Sequence, residues 1–396
     1  MGNFFICDKC GNSDPLYIGL LNGKPYCRRC IDFIGKEPDD FYIPSKENNL
    51  KIDYKLTEEQ ERISNELLNN YKNGFNQLVK AVCGAGKTEL VFKVIEFVMK
   101  NNLKVAFSVP RRDVIIDLES RFKEAFPNSK IVTIYGGHTE DLEGDLILLT
   151  THQLYRFKNY FDLLIIDEID AFPYNGDPVL YNFAKNSIRG NFIYLSATPD
   201  KKIVNEFKNN SNCKLLNLDV RYHMHPIPEP QIIIKRFFIF RLIYLIKKLR
   251  FYVSENKPCL VFVPTIDDTK KVFNFIKNLA KPGYFVNSKS KNRSKIIEDF
   301  KFGKYKYLIT TAVLERGVTI KDLQVIVFNS NHKIYNEASL VQISGRVGRK
   351  IDSYEGEVIF LGEKKTKYMA EAISNIQNSN KILQNLLQRN KKEQLP

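Results

Sequence analysis

Residues 80–89 read Lys80-Ala81-Val82-Cys83-Gly84-Ala85-Gly86-Lys87-Thr88-Glu89, and the reading of the whole chain turns on them. The apolar run that leads in, Gln77-Leu78-Val79-Lys80-Ala81-Val82, predicts a short buried strand, and Leu90, Val91, Val94, Ile95 and Val98 predict a helix behind. Strand, Gly-rich turn and helix start, in that order, are what a phosphate-binding loop requires. A cradle of Gly84, Ala85 and Gly86 lets backbone N–H groups close around phosphate oxygens where a Cβ would crowd them. The helix then points its positive end at the same charge. Lys87 is placed to reach the β- and γ-phosphates and Thr88 to ligate Mg²⁺, so ATP and Mg²⁺ are the expected cofactors. The pattern runs A-x-x-G-x-G-K-T, with Ala81 where the usual loop has its first glycine.

The rest of the composition bounds the answer. A chain of 396 residues has room for two or three domains, and 43% hydrophobic with 27% charged residues is ordinary globular usage. A formal charge of +15 favours a polyanionic partner, nucleic acid first and an anionic membrane surface second. The most apolar window, residues 231–249, is broken by Lys235, Arg236, Arg241, Lys247 and Lys248, which excludes a bilayer span. No basic-then-apolar leader opens the chain, so a cytoplasmic location is expected.

Four of the seven cysteines sit together: Cys7, Cys10, Cys27 and Cys30 in the spacing C-x₂-C-x₁₆-C-x₂-C. Two such turns, joined by a hairpin, present four thiolates to one tetrahedral Zn²⁺; a redox dithiol needs only one C-x₂-C in an α/β context. Closure by four thiolates implies a structural ion. Arg28 and Arg29 stand either to touch phosphate or to balance the thiolate charge. After a polar linker, Thr57 with Gln60 predicts a capping box, and Gln60 is equally placed to read an adenine edge.

Downstream, apolar strands end repeatedly in polar or flexible groups: residues 103–109 in Pro110-Arg111-Arg112, residues 130–135 in Gly136-Gly137, and residues 146–149 in Thr150-Thr151. That is the plan of a parallel sheet with its site at the carboxyl ends of the strands. Residues 163–166 end in Asp167-Glu168-Ile169-Asp170, an apolar strand delivering acids. Asp167 would hold Mg²⁺ through water, and Glu168 would orient or deprotonate the attacking water. Residues 192–195 end in Ser196-Ala197-Thr198.

The phosphate loop, Asp-Glu-Ile-Asp and Ser-Ala-Thr resemble motifs I, II and III of superfamily-2 helicases. A second set follows: Pro264-Thr265 after residues 258–263 like motif IV, Thr310-Thr311 with residues 314–318 like motif V, and Gln342-Ile343-Ser344-Gly345-Arg346-Val347-Gly348-Arg349 like motif VI. Arginines three apart on one helix face can reach a single triphosphate. The resemblance implies an α/β fold of two RecA-like P-loop lobes with parallel sheets, preceded by the small four-cysteine zinc module. Its expected divisions are zinc module 1–36, linker 37–55, lobe one 56–220, Pro-rich connector 221–232, lobe two 233–365 and helical tail 366–396. It assigns Lys87, Asp167, Glu168, Arg346 and Arg349 to hydrolysis, and adds Gln60 and Gly317 to the nucleotide contacts. It assigns Pro110, Arg111, Arg112, Gly137, Thr150, Thr151, Pro264, Thr265, Thr310 and Thr311 to DNA. Asp170, Ser196, Thr198 and Gln342 would couple strand binding to hydrolysis.

The connector Arg221-Tyr222-His223-Met224-His225-Pro226-Ile227-Pro228-Glu229-Pro230 is stiffened by its prolines, and His223 and His225 are read as structural rather than metal ligands. Residues 237–250 are amphipathic and expected to pack as a helix on the second sheet. Zinc module, this connector and Thr-Thr-x-x-Leu-Glu-Arg-Gly-Val-Thr together resemble the late-competence ATPases of Gram-positive bacteria and their relatives, which are associated with uptake of transforming DNA. That resemblance implies a single-strand-dependent ATPase drawing DNA into the cytoplasm. As partners it implies single-stranded DNA, with the membrane uptake channel, other competence proteins and further copies of the chain as candidates, and a peripheral place at the inner face of the cytoplasmic membrane. Two rivals remain: a duplex-unwinding helicase of replication restart or repair, and a non-catalytic zinc-dependent DNA-binding scaffold.

Overall fold

Strands in both halves of this molecule are apolar on both faces, and buried strands of that kind form parallel sheets covered by helices. The computed structural model describes residues 5–38, 42–45, 47–171, 174, 176–311 and 320–393. The chain divides into two compact units, Met1–Ala81 with Gly86–Leu218, and Val82–Ala85 with Asp219–Pro396.

The first unit opens with an antiparallel ribbon, β1 (Ile18–Leu21) and β2 (Lys24–Cys27), in register Ile18↔Cys27 and Leu21↔Lys24. Asn22 and Gly23 both take positive φ at its tip, the demand of a tight hairpin turn. Seven parallel strands follow: β3 (Asn76–Ala81), β4 (Val105–Val109), β5 (Ile131–Ile134), β6 (Leu146–Thr150), β7 (Phe161–Asp167), β8 (Ile188–Ser196) and β9 (Cys213–Leu218). Their order is β5-β6-β4-β7-β8-β3-β9, so the phosphate loop after β3 lies beside the strand that ends in Ser196. Thr57 closes a capping box with Gln60 at the start of helix Glu58–Lys72. Asp177 caps helix Pro178–Ser187 ahead of a first-turn proline.

The ribbon is fixed to this unit by specific contacts. Phe33 meets Tyr155 and Phe183 edge-on, at centroid distances of 5.4 and 5.0 Å. Asn186 donates to the carbonyls of Asp8 (2.9 Å) and Lys9 (3.0 Å), and Arg156 donates to that of Lys36 (2.9 Å). The stretch expected as a linker has no helix or strand among its described residues, yet it does not hang free. Ser45 N–H donates to Asp145, Leu50 N–H to Glu96 and Lys51 N–H to the Ala125 carbonyl, at 2.9, 2.9 and 2.8 Å. Its polar composition conceals three backbone anchors to the first unit.

The second unit is a six-stranded parallel sheet: β10 (Gln231–Ile234), β11 (Cys259–Phe262), β12 (Gly283–Val286), β13 (Tyr307–Thr310), β14 (Gln324–Phe328) and β15 (Val358–Gly362), in order β10-β15-β14-β11-β13-β12. Helix Phe238–Ser254 packs Leu242, Leu245, Leu249 and Tyr252 against Val261, Ile309, Ile326 and Ile359 of the sheet, as its amphipathic pattern predicts. The connector is strapped to helix Lys367–Glu393: Asn380 accepts from Ile227 N–H (2.8 Å) and donates to the Ile227 carbonyl (2.9 Å). Among the described residues no helix is long and apolar enough to cross a membrane.

Candidate nucleotide site and zinc centre

β3 stops at Ala81, and the chain turns through Gly84 (φ +83°) and Gly86 (φ +79°) into helices Lys87–Leu90 and Phe92–Lys100, interrupted only at Val91. Both glycines are in the left-handed region that a side chain resists. At Gly86 space is also decisive, since a Cβ there would stand 2.4 Å from Nε2 of Gln60. Gln60 is 5% exposed, and its Oε1 accepts from Thr57 N–H at 3.0 Å. Of the two readings of Gln60, the structure shows the cap: its carbonyl oxygen takes Thr57 N–H while its amide nitrogen lies against the phosphate loop. Thr88 is buried, and Lys87 Nζ is 3.5 Å from the Ala81 carbonyl.

β7 carries Asp167 and Glu168 to the same end of the sheet as β3. Asp167 Oδ1 accepts from Glu168 N–H at 2.8 Å, and Glu168 has φ +58°, a left-handed conformation uncommon for a residue with a side chain. Three residues on, Asp170 takes both hydroxyls of the next strand's loop: Ser196 donates at 2.6 Å and Thr198 at 2.7 Å. Ser196 Oγ also accepts from Thr198 N–H at 3.0 Å, which closes the turn. Phosphate loop, acids and Ser-Ala-Thr turn thus come from neighbouring strands, as expected of a nucleotide-hydrolysing sheet.

In the second unit, motif VI corrects one expectation. Its arginines do not share a helix face, because helix Glu337–Ser344 ends at a cap on Gly345, and Gly348 at φ +66° turns the chain away. Arg346 is 2% exposed, and Arg349 Nε donates to the Gly345 carbonyl at 2.8 Å. Gln342 accepts from the Cys83 thiol at 3.3 Å. A Cβ on Gly345 would lie 2.4 Å from Cβ of Cys83, so that glycine is required by close approach. Gly317 lies outside the described residues, as does most of the motif V stretch.

The DNA candidates divide into two groups. Arg112, Gly137 and Thr265 are exposed and Arg111 is half-buried. The Arg112 guanidinium sits over the Tyr135 ring at 4.6 Å, and that ring stacks on His138 at 5.0 Å. Sequence reading missed this layered surface, although Tyr135 and His138 flank the Gly136-Gly137 turn that it singled out. Pro110, Thr150, Thr151, Pro264, Thr310 and Thr311 are buried. Thr151 donates to the Val109 carbonyl at 3.2 Å and Thr310 to the Thr311 carbonyl at 3.2 Å, so these hydroxyls hold their own loops and are not presented to solvent. Thr265 caps helix Ile266–Ile276 through a box with Asp268.

The cysteines converge. The Sγ atoms of Cys7, Cys10, Cys27 and Cys30 lie within 4.8 Å of one another, with Cys7–Cys30 and Cys10–Cys27 at 3.5 Å. A tetrahedron with bonds of about 2.3 Å has edges of about 3.8 Å, so the set fits one Zn²⁺. Burial pushes the Cys10 thiol up to about 11 and that of Cys30 further, and gathering such thiols is favourable only when a cation draws off their protons.

Comparison with known proteins agrees with this geometry. Residues 53–201 match the family described as type III restriction enzyme, res subunit, and residues 241–350 match the helicase conserved C-terminal domain. Among solved structures, S. cerevisiae Dbp5 bound to RNA and ADP BeF3 superposes with a TM-score of 0.65 at 18% identity, covering 82% of this chain and 88% of that one. RecG bound to a three-way DNA junction superposes at 0.59, also at 18% identity, covering 86% of this chain and 49% of that one. Fold and sequence families together define an ATPase of the superfamily-2 helicase class. Competence protein ComFA of Bacillus subtilis (strain 168) is 33% identical over 96% of this chain and 86% of its own length. ComFA of Streptococcus pneumoniae (strain ATCC BAA-255 / R6) is 33% identical over 95% and 90%. The chain belongs to the ComFA family of competence proteins.

Proposed function

We propose that this ATPase is driven by single-stranded DNA and moves along it, powering DNA import across the cytoplasmic membrane during natural transformation. The observation that carries the reading is the Asp170 junction. The carboxylate that binds Ser196 and Thr198 stands three residues from Asp167 and two from Glu168, so a displacement of that turn is passed directly to the hydrolytic acids. In this scheme Lys87 and the phosphate-loop amides hold the phosphates of ATP, and Thr88 and Asp167 hold Mg²⁺. Glu168 orients the attacking water, and Arg346 and Arg349 offset the charge that develops on the γ-phosphate. Exposed Arg112 and His138, with the half-buried Tyr135 between them, offer a cation and ring faces to a strand. A net charge of +15 adds the phosphate-directed term.

Translocation without unwinding separates this reading from its helicase rival. The chain should strip streptavidin from a biotinylated single-stranded oligonucleotide in the presence of ATP, and Lys87→Ala should not. Displacement of a paired strand at the same rate would favour the duplex-unwinding helicase. Inactivity in both assays, with tight DNA binding, would favour the scaffold.

A further inference from the structure

Arg221 belongs to none of the helicase motifs, yet it is 1% exposed and among the largest fully buried side chains. It heads the Pro-stiffened connector, and the sequence alone gives it no role of its own. All four of its hydrogen bonds go to backbone carbonyls. Nε donates to Cys83 at 3.1 Å, Nη2 to Gly345 at 3.3 Å, and Nη1 to Val347 at 2.8 Å and also to Gly348. Cys83 belongs to the phosphate loop, and residues 345, 347 and 348 bracket Arg346 and lead into Arg349. Burying a permanent charge among neutral dipoles costs several kcal/mol, which an apolar residue of similar size would avoid. The planar fork instead fixes the backbone of two separate catalytic segments with one side chain.

His223 adds to the same hold. Its Nδ1 accepts from His225 N–H at 3.1 Å, so the proton of the neutral ring is on Nε2, which donates to the Gly348 carbonyl at 3.0 Å. His225 stacks on Tyr354 at 3.6 Å with the planes 5° apart, and a Cβ on Gly348 would stand 2.2 Å from the Tyr354 carbonyl. The Arg-x-His-x-His spacing is thus spent on the motif VI turn. Metal binding does not account for it, since the four cysteines are the only cluster of three or more such ligands among the described residues.

We propose that Arg221 is a positioning residue for hydrolysis, holding the turn that carries Arg346 and Arg349 in register with the phosphate-loop backbone. This rests on the hydrolytic reading of those two arginines. Lysine keeps the charge of Arg221 but concentrates its donors at one point, so it cannot serve four carbonyls.

The test is a double-mutant cycle of Arg221→Lys with Arg349→Ala, following kcat, KM for ATP, direct nucleotide binding and the melting transition. Arg221→Lys should lower kcat by about tenfold or more while nucleotide Kd changes by less than about threefold, a split that mere loss of folding does not produce. In the Arg349→Ala background the same change should cost less than about twofold, because both act through one turn. Wild-type kcat in a folded Arg221→Lys protein, or full multiplication of the two effects, would overturn the proposal. Wild-type kcat in Arg349→Ala would overturn the reading of motif VI, and this inference with it. If Arg221→Lys does not fold, His223→Ala takes its place in the cycle. A kcat reduced about threefold and coupled to Arg349 is then expected, and an independent or absent effect counts against.

Discussion

Ser196 donates its hydroxyl to Asp170 across 2.6 Å, joining the end of β8 to the turn that follows Asp167 and Glu168. With Thr198 on the other carboxylate oxygen at 2.7 Å, Asp170 has a neutral donor for each oxygen. Hydrogen bonds to a charged group contribute roughly 1.5–3 kcal/mol each, enough for two of them to set the loop. Ser196→Ala combined with Thr198→Ala should leave ATP binding nearly intact. It should lower the ratio of DNA-stimulated to unstimulated hydrolysis by about tenfold or more, since each bond lost is worth at least about that factor. An unchanged ratio would show that the junction carries no signal.

Lys87 and Glu168 should fail by different routes. Lys87→Ala removes a phosphate contact, so nucleotide affinity and turnover should both fall. Glu168→Gln leaves the glycine cradle and Asp167 in place, so ATP should still bind while turnover drops by about 10²-fold or more. Equilibrium binding beside steady-state rates separates the two. Wild-type turnover in Glu168→Gln would remove that residue from the reaction.

The four-cysteine cluster lends itself to metal analysis. About one zinc per chain is expected from one four-thiolate site. Cys27→Ala should release the metal and open the N-terminal ribbon to protease. The lobes should remain folded, because neither parallel sheet takes a strand from the ribbon, although Phe33, Asn186 and Arg156 tie it to the first unit. A metal-free, protease-resistant ribbon would contradict the assignment.

Arg111 and Arg112 should set part of the salt dependence of strand binding. Each phosphate contact to a single strand contributes about 0.7 to the slope of log K against log salt. Replacing both arginines by alanine should flatten that slope by up to about 1.4. Tyr135→Ala, by contrast, should weaken binding by a similar factor at every salt concentration, since stacking releases no counterions. A slope unchanged by loss of both arginines would place the strand elsewhere.

Much of this was legible because chemistry-bearing residues fall at strand ends. β3, β4, β5, β6, β7, β8, β11 and β13 each announce themselves by an apolar run closing on a Gly-rich turn or on polar residues, and the cysteine spacing specifies its own geometry. β9, β12, β14 and β15 end in nothing distinctive, and they were not singled out although they complete the sheets. Arg221 escaped for a different reason. Its partners are carbonyls, which every residue has, so no residue type in the sequence marks the positions it grips. The motif VI arginines were found but set on a helix, because spacing alone does not show that Gly345 and Gly348 end it. Thr151 and Thr310 are DNA candidates by their place at strand ends, and only the structure shows their hydroxyls already given to neighbouring carbonyls.

The central claim is that strand binding and hydrolysis are coupled within this chain through motif VI. The most direct measurement is steady-state ATP hydrolysis against the concentration of single-stranded DNA, for the wild type and for Arg349→Ala, with nucleotide binding measured in parallel. The wild-type rate should rise to a plateau. Arg349→Ala should bind ATP and DNA yet lose most of the rise, since an arginine acting on the γ-phosphate can be worth about 10³-fold in turnover. Equal stimulation in the two proteins would contradict the claim.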